Sequence, residues 1–334
     1  MGRTGVARGG VVGMVAVVVA MAMLAAACGG GGGSPAGAAA PVNRPDHPLE
    51  RLLADLSTKL PSERSRIQGV DDCLTRAGFK SDLAAELAEL RLSGEEVLTG
   101  DPAQVGYGIS TPYDSPGERM LEQAGLFPRS RLRYWESLPP EEQGRYLDTL
   151  IGSGTEPGCL GQLAESSDAG GSTDPDVAEL VRLNEAWAGT LSNLEADPTV
   201  AGARAEWSRC LAERGYDYQT PGEIPTELER RLALVVQSFT GSSNPPAAAQ
   251  PRPADIPPEA FVTPNPELEA LQAYETALAV ASTECGVRPN RDVAPAEELV
   301  TTRQRQLILD REEELIPLVE SAGLDLADYV DSAK

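Results

Sequence analysis

The chain has 334 residues, 28 of them Lys or Arg and 51 Asp or Glu, for a formal net charge of −23. So acidic a surface repels nucleic-acid phosphates and gives anionic lipid nothing to hold, so nucleic acid is excluded as a partner and solubility is the plain reading of the charge. Aromatic residues make up only 4% of the sequence, so the core has to come from Leu, Ala, Val and Ile, side chains that suit closely packed helices.

Residues 1–27 read as a lipoprotein signal peptide. Arg3 and Arg8 supply a positive start, residues 11–27 an apolar stretch, and small residues lead up to Cys28. The run before Cys28 resembles a lipobox, with Ala25 in the usual Leu position and Leu24 one residue further away. The expectation is that Cys28 carries the lipid and becomes the mature N-terminus. Residues 28–48, rich in Gly, Pro and Ala, then form a flexible tether on the order of 25 Å in reach. No basic cluster follows the apolar stretch, which argues against an uncleaved spanning helix. Two acyl chains suffice for stable anchoring, so the chain is expected outside the cytoplasm, held to the membrane through Cys28.

The catalytic inventory is thin. The single histidine, His47, falls inside the expected tether, leaving the folded part without a Ser-His or Cys-His dyad and without a His-ligated metal. There is no Ser-x-x-Lys pattern, no Walker loop and no GxGxxG after a strand, and neither cofactor nor metal is expected. Adjacent acids such as Glu141-Glu142 and Glu312-Glu313-Glu314 read as solvated helix faces, as does Glu95-Glu96. Residues 168–176 lack the alternating ligands of a calcium loop and read as a connection ending in a cap, Thr173 or Asp174, for a helix from Pro175.

From residue 49 onward the text is helical, and the expected class is mainly α. Residues 49–168 form a first unit. Leu49, Leu52, Leu53 and Leu56 share one face of a first helix; Ile67, Val70, Cys73 and Leu74 line a second. Residues 82–92 make another, and 93–117 a long loop with room for a short strand pair, carrying Tyr107 and Tyr113 in YGISTPY. Tyr with small polar residues suits recognition, so this loop is the candidate recognition site. A helix beginning at the Pro139-Pro140 pair ends at Gly152.

Residues 175–334 form the second unit. Asp197-Pro198 starts a helix through Val200, Ala203, Trp207, Cys210 and Leu211. Residues 241–266 are a Pro-rich surface loop, Leu268, Leu271, Tyr274, Leu278 and Cys285 stripe the next helix, and one long helix is expected over 294–322.

Two phrases echo each other, CLTRAGF at 73–79 and CLAERGY at 210–216. In each, Gly78 or Gly215 takes the left-handed position just past a helix, and Phe79 or Tyr216 folds back on Leu74 or Leu211. With Cys28 lipidated, four cysteines remain for an oxidising compartment, and three pairings are open. If the two units are equivalent, each closes on itself, giving Cys73–Cys159 and Cys210–Cys285. A single disulfide of this loop length contributes at most about 4.5 kcal/mol.

The series Cys73 to Phe79, Tyr107-Gly108, Gly158-Cys159, Trp207 to Tyr216 and Cys285 resembles, in that order, a group of uncharacterised lipoproteins from actinobacteria. Leu74 and Leu211 stand where Met is frequent. The resemblance implies this architecture and membrane address, and no reaction. The expected function is a non-catalytic binding or scaffold protein on the outer face of the cytoplasmic membrane, with another envelope protein as partner. The alternatives are a cell-wall hydrolase using Asp and Glu, or a solute-binding lipoprotein.

Overall fold

The computed structural model describes residues 47–89, 99–123, 129–153, 156–160, 175–191, 194, 196–240 and 256–330. Cys28, the signal stretch and residues 28–46 of the expected tether lie outside them, as do Glu95, Glu96 and residues 168–174. The fold is mainly helical. Among its helices are α1 Pro48–Lys59, α2 Pro61–Arg76, α3 Pro102–Val105, α4 Pro116–Gln123, α5 Arg129–Glu136 and α6 Pro140–Ile151. After them come α7 Pro175–Leu191, α8 Pro198–Ala212, α9 Glu223–Thr240, α10 Pro266–Glu284, α11 Ala294–Asp310, α12 Glu312–Ser321 and α13 Ala327–Val330.

Helix starts follow local chemistry. Proline opens many of them, where its missing N–H costs nothing and its fixed φ suits the first turn. Ahead of it, among the described residues, stands a capping side chain in four cases, one of them Ser115, whose Oγ accepts from Glu118 N at 3.3 Å. Asp101 accepts from Ala103 N, Asp197 from Thr199 N and Val200 N, and Asn265 from Glu267 N and Leu268 N.

Helix ends are equally local. Gly78 and Gly215 both sit at φ 90°. Phe79 N donates to Leu74 O at 3.0 Å and Gly78 N to Thr75 O at 2.9 Å; Tyr216 N donates to Leu211 O at 3.2 Å and Gly215 N to Ala212 O at 2.9 Å. Both repeated phrases are therefore Schellman stops, as expected. Two further stops of the same kind end α10, at Gly286 (φ 91°) with Val287 N on Ser282 O, and α12, at Gly323 (φ 70°) with Leu324 N on Val319 O.

Both disulfides form as the two-unit argument pairs them. Cys73 joins Cys159 and Cys210 joins Cys285, each with Cα atoms 5.8 Å apart. Gly158, just before Cys159, has no space for a side chain: a Cβ would stand 2.3 Å from Gly152 N.

Three buried clusters make the core, and they cross the division expected near residues 168–175. One joins α8, α9 and α10 to Tyr107 and Tyr113 of the long loop. A second seats α1 against α7, α11, α12 and α13. The third gathers α2, α4 and α6 with Cys159, Val236 of α9, and Ile256 and Ala260. Leu60, with φ −57° and ψ 137°, turns the chain between α1 and α2. The stripe of α1 thus points away from that of α2 and finds its partners in the second half of the chain. There Arg51 stacks 5.0 Å over the Tyr329 ring, and Tyr329 Oη donates to Asp55 Oδ2 at 2.6 Å.

Two expectations are corrected. The helix expected over 294–322 is two, broken at Arg311 (φ −116°, ψ 18°), whose guanidinium donates to Glu179 Oε1 and Glu314 Oε2. The break lets Ile308 of α11 and Leu315 and Leu318 of α12 all reach the second cluster. The strand pair expected within 93–117 is absent among the described residues of that stretch, where single-turn α3 and tight turns stand instead. The only described strand pairing is the two-residue bridge of β1 Gly152–Ser153 with β2 Glu156–Pro157.

Candidate functional site

The YGISTPY loop is organised around one carboxylate. Glu275, in the middle of α10 and fully buried, accepts Tyr107 N and Ile109 N on Oε1, each at 2.9 Å. Its Oε2 accepts Ser110 N at 2.7 Å and the Ser110 hydroxyl. Burying a carboxylate is costly unless several donors meet it, and here the loop backbone curls into a nest of them. Gly106 (φ 58°) is required for the approach, since a Cβ there would stand 2.9 Å from Glu275 Cγ. Gln272 Nε2 donates to Ser110 O and Tyr113 O, and Asn290 Nδ2 to Tyr107 O. The loop is fastened to α10 along its whole length.

That fastening turns the two candidate tyrosines inward. Tyr107 and Tyr113 are 4% and 7% exposed and belong to the first cluster, so both rings pack into the core. Burial pushes both phenols up, against the opposing hydrogen bond to Ser282 for Tyr107 and reinforced by the Glu122 charge for Tyr113. Tyr113 Oη donates to Glu122 and receives Arg119 Nη1 at 3.1 Å; Arg119 also binds Glu122 and, at 3.0 Å, Glu229. Glu122 and Glu229 thus converge on a guanidinium.

An open groove of about 740 Å³ runs between this loop and the N-terminal part of α10. Gln104, Thr111, Tyr113 and Asp114 line one side, Thr263 and Pro264 one end, and Leu268 and Glu269 belong to the α10 side. The ionisable carboxylates in its wall, Asp114 and Glu269, are exposed, and no cation lines it. Phe261 (41% exposed) and Val262 (57%) immediately precede Thr263. Phe261 is held in place over Gly117, where a Cβ would come within 2.5 Å of the ring.

His47 corrects the reading of the tether. It is 1% exposed, flanks the first turn of α1, and reaches Glu50 Oε1 at 3.3 Å through Nδ1 and Glu297 Oε2 at 2.9 Å through Nε2. Prolines on either side make it look like linker; its decisive partner is 250 positions away and leaves no local trace. Glu275 did leave a signal, since it sits between Leu271 and Leu278 on the apolar stripe of α10. Among the described residues no three His, Cys, Asp or Glu are grouped as metal ligands, and no helix is long and apolar enough to cross a membrane. The chain matches no family model, no curated protein and no solved structure, so a functional reading rests on the geometry of the loop and its groove.

Proposed function

We propose that this chain is an envelope lipoprotein, lipidated at Cys28 and held on the outer face of the cytoplasmic membrane, that acts by binding another envelope protein. The groove beside the YGISTPY loop is its contact site, and the partner supplies an extended segment with basic and apolar side chains. The carrying observation is a pair of exposed carboxylates in the groove wall, Asp114 beside the loop that Glu275 fastens and Glu269 on α10, next to the exposed apolar step Phe261-Val262 that leads into Thr263. A preorganised surface binds without the entropy cost of ordering itself. The two disulfides suit an oxidising compartment.

The other readings draw less support. A hydrolase needs two acids converging on an enclosed substrate space, whereas Glu122 and Glu229 converge on Arg119 outside the groove, and the two acids that do line it, Asp114 and Glu269, are exposed on an open surface. A solute carrier needs aromatic walls, and Tyr113, itself buried, is the only aromatic residue among those lining the groove.

A photo-reactive side chain placed at Thr263 in living cells tests the proposal, with the same group at exposed Glu313 on α12 as control. One protein adduct is expected from position 263 and none from 313. Asp114→Lys with Glu269→Lys is expected to remove it. Equal labelling at both positions, or labelling indifferent to the charge reversal, overturns the contact site.

A further inference from the structure

His47 is the only histidine in the chain, and both of its ring nitrogens face carboxylates. An ionised carboxylate only accepts, so the arrangement is satisfied in full by the imidazolium, which has two N–H donors. The neutral ring has one, and its other nitrogen then turns a lone pair toward an oxygen of Glu50 or Glu297. The two carboxylates lie on different elements, Glu50 on α1 and Glu297 on α11. Each also has a second support that survives loss of the proton. Gln304 Nε2 donates to Glu50 Oε1 at 3.2 Å, while Glu297 receives Arg291 Nη1 at 3.2 Å and Asp292 N at 2.6 Å. Asp292 in turn is paired with Arg204 of α8.

We propose that His47 is a proton-operated latch, whose imidazolium ties the first turn of α1 to α11 and whose deprotonation loosens that turn, leaving it held to α11 by the proton-independent bonds of Gln304 to Glu50 and to Leu49 N. Position 47 is where residues 28–46, the expected tether, join the described body, so the latch sets how firmly the body is held at its attachment point. Burial by itself would lower the imidazole pKa, but the hydrogen bonds to Glu297 and Glu50, with their charges, outweigh it and leave it raised above 6.5. The folded pKa is above the unfolded one, so the stabilisation is complete below 6.5 and is lost as pH rises through the raised folded value.

The test uses the intact chain, labelled with 13C at histidine and purified without a histidine tag, so that one imidazole signal reports His47. The expected midpoint lies above 6.5. Hydrogen exchange of the amides of residues 50–53, corrected for the intrinsic pH dependence, is expected to accelerate on the order of tenfold across that midpoint. Amides in α9 are expected not to follow it. Glu297→Gln is expected to lower the midpoint and flatten the exchange response. A midpoint at or below 6.5, or exchange in α1 that ignores the midpoint, overturns the latch. The unsubstituted chain decides this even if Glu297→Gln folds poorly.

Discussion

The two repeated stops are alike in backbone and unlike in everything they touch. After α2, Phe79 is 3% exposed, meets Tyr146 edge-on at 5.1 Å and carries Arg145 over its face at 4.5 Å. After α8, Tyr216 is half-buried and meets Tyr274 at 5.7 Å, and the arginine, Arg231, sits instead over Tyr274 at 4.1 Å. The disulfides diverge as well. Cys210 is tied to the C-cap of α10, so one bridge fastens two Schellman ends together, and Trp207 Nε1 already links the same helices through Ser282. Cys73 is tied to Cys159, which follows the two-residue β bridge and the crowded Gly158. A helix stop is a local clause that can be reused; what it anchors depends on the surroundings it is placed in.

Substitutions at matched positions test that contrast, with urea unfolding as the common readout. Phe79→Ala removes a buried ring and is expected to cost about 3–5 kcal/mol, against about 1–2 kcal/mol for half-buried Tyr216→Ala. Equal losses would mean that the two aromatics bear the same load after all. Removing Cys73–Cys159 with a pair of alanines is expected to cost about 2–4 kcal/mol. The same change at Cys210–Cys285 is expected to cost less, because α8 and α10 keep Trp207 and Ser282. Gly158→Ala, whose Cβ would collide with backbone, is expected to cost about 1–3 kcal/mol. Its counterpart Glu284→Ala, before Cys285 and exposed, is expected to stay within about 0.5 kcal/mol. Last, Gly78→Ala and Gly215→Ala are expected to cost about 1–2 kcal/mol each and equally, since both sit at φ 90° with open space where a Cβ would go. A clear difference between those two would show that the stops are not equivalent even in backbone.

Much of the fold was legible along the chain. The stop at Gly78 is written within six residues, and so is the one at Gly215; a terminal aromatic made both visible. The matching stops at Gly286 and Gly323 end in Val287 and Leu324, which carry a weaker local signal than an aromatic, although their geometry is the same. The break at Arg311 was illegible because the apolar period continues straight through it; packing against the second cluster, not local pattern, redirects α12. Within the candidate site the loop was found but its orientation was not. Tyr107 and Tyr113 look like recognition residues by type, yet they face the core because Glu275, 168 positions after Tyr107, takes hold of the backbone between them.

The helical class, most helix starts and the two repeated stops are written in the chain, and the symmetry of the repeated phrase points to which cysteines join. Helix starts and stops depend on backbone conformation and on donors or acceptors within a turn or so of each other, where chain connectivity already holds the partners close. Only the tertiary structure decided that α1 joins the second half of the chain, that Glu275 shapes the groove, and that His47 lies between two carboxylates. Such contacts exist because distant side chains are brought into one low-dielectric space, where a buried charge must find partners.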